Sequence, residues 1–429
     1  MNPLRKMLLY VNTAAVFLLR FVDGAAENWP GFRGPTRQGL SAETGLPLKW
    51  SATENVAWKT EIAGEAWSSP IVWNDHVFVT TATDQGTTCR VLAIDRDSGR
   101  VLWNKEIFSQ VTLRKERRNS YATPTPVTDG KLVFAVFGDG SFAALDFRGG
   151  IVWVNRDFTF YSQHGLGTSP ILWEDLLIMA RDASSEGEDK KVGWQIPWEK
   201  SFVVALDKNT GAVRWKTGRG MSRIGHVVPN IWRDPSGRAQ IISGAGDVVQ
   251  GFDARSGELI WTSENKGEGV VPSIVLGDGV AFTACGWGGR ESIRTFRLGG
   301  QGDLKETNLA WEQRKAVPKI PSYLYLKPHL FTITEGGIVM CLNEATGEII
   351  WQERISGNFS ASPVAVEGRI YCLSDEGETT IIEAGPQFKV LAKNPLNEKV
   401  QASMAISGKR LFIRTETNLY CIGVATTVR

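Results

Sequence analysis

The chain has 429 residues, of which 48 are lysine or arginine and 46 are aspartate or glutamate, so its formal net charge is only +2. A balance this close to neutral excludes a global electrostatic attraction to nucleic acid or to an anionic membrane surface. The cysteines are odd in number and form no CxxC pair, which argues against a disulfide framework, a zinc site and a covalently attached haem. We expect buried, unpaired thiols on strands at Cys89, Cys285, Cys341, Cys372 and Cys421.

The first 26 residues have the pattern of a secretory signal. Arg5 and Lys6 form a positive start, an apolar segment follows, and Gly24 and Ala26 are small residues at the spacing of a cleavage site. A short membrane anchor is the alternative, but an arginine interrupts the apolar run, which is too short to span a bilayer well. We therefore expect a periplasmic or secreted protein whose mature chain has no transmembrane segment.

Residues 27–54 are rich in proline and glycine, which is typical of an irregular arm. Trp29, Phe32 and Trp50 are its candidate anchors on the folded body. Two placements are open: the arm caps one face of the body, or it packs along the outside. The second placement is the one that we favour from the sequence.

From about residue 55 onward one short pattern recurs. In VLAIDRDSGRVLW, Asp95 lies four positions before Gly99, and Gly99 lies four before Trp103. Three more full copies (VVALDKNTGAVRW, VQGFDARSGELIW and VMCLNEATGEIIW) and a shortened one (FAALDFRGGIVW) are present. The apolar run, the Asp–Gly turn and the second run ending in tryptophan predict a strand, a tight hairpin and an outer strand. The tryptophan is expected to wedge against the neighbouring unit.

A second landmark repeats in phase with the first and occurs eight times. Small residues, usually with a proline, precede a short apolar strand, a turn and another strand. Its markers are Pro70, Pro124, Pro170, Pro229, Pro272, Pro321, Pro363 and, where proline is lost, Met404. Units of this size cannot cover their own apolar faces and must stack in series. Residues 55–429 therefore predict an all-β, eight-bladed β-propeller of four-stranded antiparallel blades.

The tryptophans also predict how the ring closes. Unit seven has Leu391 where a tryptophan would fall, and unit eight ends at Leu419–Gly423 without an outer strand. The N-terminal segment NVAWKT carries a spare tryptophan, so we expect it to supply the missing strand. The structural docking residues are then Trp58, Trp103, Trp153, Trp215, Trp261, Trp311 and Trp351.

Two loops that leave the blades are candidates for function. The loop after unit one carries a basic cluster (Arg114, Lys115, Arg117 and Arg118), which binds an anion or, as we favour, is a solvated loop. The insertion in unit three, Arg181–Lys200, contains Trp194 and Trp198. It is equally compatible with a contact for a partner or ligand and with a flap over apolar surface.

Three further segments converge on the face where the inner strands begin. His164 and His226 occupy similar places in successive units, and either bind a ligand or, as we favour, are satisfied loop histidines; no carboxylate lies at metal-ligand spacing. A Gly-rich turn with Trp287 beside Arg290 suits a planar or anionic ligand. The complete candidate rim is Arg117, Tyr121, His164, Trp194, Arg223, His226, Trp287, Arg290, Lys319 and Tyr323.

The recurring Asp–x–x–Thr/Ser–Gly–x–x–x–Trp skeleton resembles the pyrroloquinoline-quinone-type propeller repeat, from about Asn55 to Gly423. The arm NWPGFRGPTRQGLS is similar to the lead-in of secreted bacterial proteins of this class. Resemblance to quinoprotein alcohol dehydrogenases implies a quinone and Ca²⁺ in the channel, although the Cys–Cys pair and a calcium ligand set are missing here. Resemblance to the propeller lipoprotein of the outer-membrane β-barrel assembly machinery implies a non-enzymatic protein that binds partner chains, although the lipoprotein cysteine is missing.

No GxSxG, HExxH or Walker pattern is present, and the turn acids are explained by the hairpins. We therefore expect an exported, monomeric binding or scaffolding module. It would hold a protein partner or a small ligand at its face, without a catalytic residue, a metal or a cofactor. The alternative is an oxidoreductase that uses pyrroloquinoline quinone and Ca²⁺.

Overall fold

A computed structural model of the protein describes residues 26–288 and 291–424. The expected secretory signal, apart from Ala26, and the candidate rim residue Arg290 lie outside these residues. Within them, the strands form eight sheets around a central axis, antiparallel apart from one added edge strand, and helix is limited to one 3-10 turn, Asp84–Gly86. The predicted eight-bladed β-propeller is confirmed. No helix in this part of the chain is long and apolar enough to cross a membrane.

The blades follow one another in chain order, and the first strand of each lies next to the axis. The first strand of the chain, β1 (Val56–Glu61), belongs to the last blade. The strands of blades 1 to 4 are β2 (Ile71–Trp73), β3 (His76–Thr83), β4 (Thr88–Asp95) and β5 (Val101–Ser109); β6 (Val127–Thr128), β7 (Leu132–Val136), β8 (Phe142–Asp146) and β9 (Ile151–Asn155); β10 (Ile171–Trp173), β11 (Leu176–Arg181), β12 (Phe202–Asp207) and β13 (Val213–Gly218); β14 (Asn230–Arg233), β15 (Ala239–Gly244), β16 (Val248–Asp253) and β17 (Leu259–Glu264).

Blades 5 to 8 have the same layout, except for one additional short strand, β21, in the long turn of blade 5. Their strands are β18 (Val275–Leu276), β19 (Val280–Cys285), β20 (Ser292–Arg297), β21 (Gly302–Lys305) and β22 (Leu309–Gln313); β23 (Leu324–Leu326), β24 (His329–Ile333), β25 (Ile338–Asn343) and β26 (Ile349–Arg354); β27 (Val364–Val366), β28 (Arg369–Leu373), β29 (Glu378–Glu383) and β30 (Val390–Pro395); β31 (Ala405–Ser407), β32 (Arg410–Arg414) and β33 (Asn418–Ile422).

The ring closes where the sequence predicts. Strand β1 pairs antiparallel with β33, and Trp58 lies opposite Cys421. All five cysteines lie buried on strands as unpaired thiols, as expected. The closing pair of strands is fastened further by Glu398, which accepts hydrogen bonds from Lys59 Nζ at 2.7 Å and from Asn418 Nδ2 at 2.8 Å.

The recurring Asp–Gly–Trp pattern has a direct structural explanation. In blade 1, Asp95 Oδ1 accepts hydrogen bonds from the Ser98 amide at 2.8 Å and hydroxyl at 2.6 Å, which closes the turn. Gly99 has φ of 73°, and a Cβ placed there would lie 2.6 Å from the Trp58 ring of blade 8. The Trp58 indole N–H donates to the Arg96 carbonyl at 2.9 Å. Glycine is therefore required both for the backbone conformation and for the tryptophan of the preceding blade.

Blade 5 departs from this pattern, and the departure changes how Trp261 docks. The long turn of blade 5 adds β21 to the edge of blade 4, parallel to β17, with Gly302 opposite Trp261. The covered Trp261 ring is fully buried, and its Nε1 donates to Gln240 Oε1 of its own blade at 3.1 Å. Trp261 therefore still packs in the core between blades 4 and 5, but not on an Asp–Gly turn.

The arm does not pack along the outside, so the placement that we favoured from the sequence is wrong. It crosses the end of the axis where the inner strands finish, and it contacts every blade. In blade order the contacts are Trp29 with Val72, Pro30 with Thr128, Phe32 with the cluster around Ile171, Arg37 with Asn230, Gln38 with Leu276, Arg33 with Tyr323, Ser41 with Ala365 and Glu43 with Gly408. Trp29 and Arg33 are buried there, since an eight-bladed ring leaves an opening on its axis that the arm fills.

Candidate functional site

The opposite end of the axis holds the candidate site. A cavity of about 520 Å³ opens where the inner strands begin, and Phe32 of the arm forms part of its lining. We call this cavity the axial pocket. Because the arm covers the far end of the axis, the axial pocket is blind and has one mouth. Its volume lies within the range of about 300–1,000 Å³ that is usual for small-molecule sites.

A ring of hydroxyl groups surrounds the axial pocket. Seven of the eight blades contribute one serine or threonine just before the inner strand, and blade 4 has Val228 instead. We call these side chains the hydroxyl ring; they are Ser69, Thr125, Ser169, Ser273, Ser322, Ser362 and Ser403. Neighbouring members are joined by hydrogen bonds from a backbone N–H to the next hydroxyl oxygen, for example from Ser69 to Thr125 Oγ1 at 3.0 Å and from Ser362 to Ser403 Oγ at 2.9 Å.

One wall of the axial pocket is aromatic. The His164 ring lies 5.4 Å from the Trp194 ring and 6.0 Å from the His226 ring, centroid to centroid, both edge to face. The two histidines occur in consecutive blades, and the insertion that carries Trp194 places its indole against His164. Trp67 and Trp287 are further lining residues.

The environment keeps both histidines neutral. Burial, together with the nearby His164, lowers the pKa of His226 to about 3. Burial also lowers the pKa of His164, against the opposing effect of Glu116. Neutral imidazoles offer a donor and an acceptor each, so this wall can hydrogen bond without adding charge.

The remaining lining carries little net charge. Among the described residues that line the axial pocket, the charged side chains are Glu116, Arg118 and Glu268. Arg223, a predicted rim residue, is held beside the pocket by Asp247, at 2.5 Å from its Nη2, and lies 3.9 Å from Glu268. Hydrogen bonding to Asp247 raises the pKa of Arg223, so this arginine is committed to an ion pair.

The structure brings only part of the predicted rim together. His164, Trp194, His226 and Trp287 line the axial pocket, and Lys319 lies behind Trp287 with its Nζ 4.1 Å from the ring centroid.

The other predicted rim residues are elsewhere. Tyr323 is fully buried between blades and is not a rim residue, because on the extended chain it points away from the axis while its neighbour Ser322 points toward it. Tyr121 lies in a separate small cavity, with its hydroxyl donating to the Leu113 carbonyl at 2.7 Å. Arg117 is exposed, and it is Arg118 of the basic cluster that lines the pocket.

Sequence reasoning missed the hydroxyl ring, Trp67 and Gln401. The ring had a signal: a serine or threonine stands beside most of the proline markers. Trp67 and Gln401 had no such signal in the sequence, because neither residue is repeated at the same position of other blades. The structure describes no group of three or more His, Cys, Asp and Glu side chains that could hold a metal ion.

Comparisons with known proteins agree with this fold. The family model described as outer membrane protein assembly factor BamB matches residues 41–156, 80–217 and 244–426. BamB from Moraxella catarrhalis is similar in structure, with a TM-score of 0.57 and 14% identity over 85% of this chain and 97% of that one. A europium-containing methanol dehydrogenase has a TM-score of 0.64 and 10% identity over 93% of this chain and 98% of that one. At these identities the likeness concerns the fold alone.

Among curated proteins, tetrathionate hydrolase from Acidithiobacillus ferrooxidans is 26% identical over 190 residues. The match covers 40% of this chain and 37% of that relative, so the chain spans little more than a third of its length.

Proposed function

The chain belongs to the family of the outer membrane protein assembly factor BamB, and we propose that it is a binding module that holds a small ligand in the axial pocket. The observation that carries the proposal is the blind pocket itself. It has one mouth, a closed floor, an aromatic wall and a hydroxyl ring, which are the features of a site that encloses a small molecule.

The lining supports a binding role over the quinone-dependent alternative. Ca²⁺ takes six to eight oxygen ligands, and pyrroloquinoline quinone adds three carboxylates that need cationic or N–H partners. The lining carboxylates, Glu116 and Glu268, do not form a metal-binding group, and Arg118 is the cation among the described lining residues. This donor set does not fit the calcium–quinone pair.

We also propose that the protein acts outside the cytoplasm. The support is the signal-like pattern of residues 1–26 and the description of its family as an outer membrane assembly factor. Fractionation of cells that express the full chain tests the location: the mature protein is expected in the periplasmic or secreted fraction, and retention in the cytoplasm would contradict it.

The pocket is tested with a blocking variant. Val271 lines the axial pocket and is partly exposed, so Val271→Phe fills the mouth from an accessible position. Ligand-observed NMR with a library of small polar and aromatic fragments should find compounds that bind the wild type and not the variant. Equal binding to both proteins, or to neither, would refute a ligand site in the pocket. Stoichiometric uptake of pyrroloquinoline quinone with Ca²⁺ and dye-linked alcohol oxidation would favour the enzyme instead.

A protein partner at the same mouth is a second candidate, supported by exposed apolar side chains. Met221 is 60% exposed and Ile196 43% exposed, and the backbone bridge from Trp198 to Ser222 brings their two loops together. A photo-crosslinking residue at position 196 should capture one discrete protein in cells. The control is Val213, which is also 43% exposed but lies on the outer edge of blade 3. The same capture pattern from both positions, or none from either, would refute a partner at the mouth.

A further inference from the structure

The axial pocket presents hydrogen-bonding groups that the protein does not use. Each linked hydroxyl of the ring accepts one backbone N–H. Ser322 Oγ and Ser362 Oγ, for example, each accept one at 3.0 Å, a distance typical of a good hydrogen bond. A hydroxyl that accepts in this way still carries a proton to donate, and the described structure provides no acceptor for it. The ring therefore presents a row of O–H donors around the axis.

Two orphaned polar atoms lie beside this row. Trp67 Nε1, a donor, and Gln401 Oε1, an acceptor, are buried without a hydrogen-bond partner in the described part of the chain, and both residues line the axial pocket. A buried polar atom that stays unsatisfied destabilises the structure. Both atoms are covered by neighbouring protein atoms, so a ligand that supplies an acceptor and a donor satisfies them by drawing the Trp67 and Gln401 side chains toward the pocket.

The aromatic wall sets the shape of the ligand. Trp194 and Trp287 are only partly buried, and with His164 they border the pocket with flat apolar surfaces. Flat rings bury area against a rigid, equally flat partner with little loss of side-chain freedom. The ligand should therefore combine an apolar face with a polar edge.

The charged residues around the axial pocket indicate what charge the ligand can carry. The histidines are neutral, and Glu116 and Glu268 outnumber Arg118 on the described lining. A bound anion needs charged or N–H donors aimed at it. A bound cation is favoured by carboxylates and by the open face of an aromatic ring. Lys319 Nζ lies 4.1 Å from the Trp287 centroid and Lys399 Nζ 4.9 Å from the Trp67 centroid, so each of these rings already contacts a cation. Arg223, 3.9 Å from Glu268, offsets the second lining carboxylate, so the pocket has no strong charge of either sign.

From the unused donors, the orphaned pair, the aromatic wall and the charge balance, we infer that the axial pocket binds a neutral, hydroxyl-rich ligand, that is, a sugar. The inference rests on the proposed function and specifies its ligand class. Since the pocket is blind, it takes a free mono- or disaccharide or the end of a glycan chain, and excludes the middle of a chain.

Saturation-transfer NMR and tryptophan fluorescence test this with named probes. The neutral probes are glucose, N-acetylglucosamine, maltose and cellobiose; maltoheptaose tests a chain end. Galacturonate and choline are the charged comparisons. At least one neutral probe should bind with a dissociation constant in the millimolar range or below.

Matched variants locate the binding. Trp194→Ala should weaken it about tenfold, which corresponds to about 1.4 kcal/mol. Gln195→Ala, next to Trp194 but exposed and outside the lining, should leave it unchanged. Gln401→Leu should weaken the binding of sugars and leave the binding of apolar fragments unchanged. General unfolding would weaken both.

The outcomes separate the sugar inference from the pocket itself. Binding of galacturonate or choline alone, abolished by Val271→Phe, would overturn the sugar inference and leave the binding module standing. Sugar binding that survives both Val271→Phe and Trp194→Ala would overturn the inference by placing the site elsewhere. Absence of binding by every probe and every fragment would overturn both proposals.

Discussion

The closure of the ring by Trp58 gives the sharpest test, because the protein contains its own control. Trp58 and Trp153 are 8% and 9% exposed, and each donates its indole N–H to a carbonyl of the next blade at 2.9 Å. Each ring also lies 2.6 Å from the Cβ position of the glycine in the next turn, Gly99 or Gly211. Substituting a buried tryptophan with alanine costs about 3–5 kcal/mol. We therefore expect Trp58→Ala and Trp153→Ala to lower the free energy of unfolding by similar amounts, measured by urea denaturation.

The two variants should differ in where the structure opens. Trp153 lies on β9, which a short turn joins to its partner β8, so a weakened pair recloses at once. Trp58 lies on β1, whose partner β33 is at the other end of the chain, so no short turn holds the two strands together once they separate. Hydrogen exchange in Trp58→Ala should therefore accelerate selectively at β1 and β33. Equal protection of β1–β33 and β8–β9 in their respective variants would refute the argument that closure is the weak point.

Three further predictions concern titratable groups. Although burial opposes its ionisation, hydrogen bonds from Lys59 and other donors lower the pKa of Glu398 from 4.5 to about 2, so its stabilisation is present above pH 4.5 and is lost as the pH falls toward 2. In Glu398→Gln the urea midpoint should depend less on pH between 4.5 and 2. The same pH dependence in the variant and the wild type would contradict this. Burial raises the pKa of Asp182 from 3.8 to about 6 despite its ion pair with Arg219, so the free energy of unfolding should fall as the pH rises from about 4 to 6. Asp182→Asn should remove this pH dependence, and it should also destabilise the protein because Arg219 stays buried without its counter-ion. A pH dependence that persists in the variant would contradict the assignment. Burial raises the thiol pKa of every cysteine, so an aromatic disulfide reagent at pH 8 should label none in the native protein and all after unfolding; labelling of the native protein would refute this for Cys89, Cys285, Cys341, Cys372 or Cys421.

The fold was predictable because its rules are local and repeated. Asp95, Gly99 and Trp103 recur with constant spacing, since each blade closes its turn in the same way and sends its tryptophan onto the turn of the next blade. Even the closing strand followed from counting: the last blade lacked an outer strand, and the segment with Trp58 belonged to no other blade.

The arm and the pocket depend on contacts that no repeat encodes. Gln38 reaches Leu276, and Arg33 reaches Tyr323, through pairings made once each and far apart in the chain. The difference between Ser322 on the pocket wall and Tyr323 in the interior depends on which of two neighbours faces the axis. Proximity to a marker proline locates the mouth, but it does not tell which side chain enters it.

The arm gives the molecule a direction. Without it, an eight-bladed ring would be a tube with two exits, and a bound molecule could leave by either. With Trp29 and Phe32 across one end, the interior becomes a cup, in which whatever enters must leave by the same route. Anything that covers the mouth therefore controls both loading and release, so the residence time of the contents would be set at a single rim.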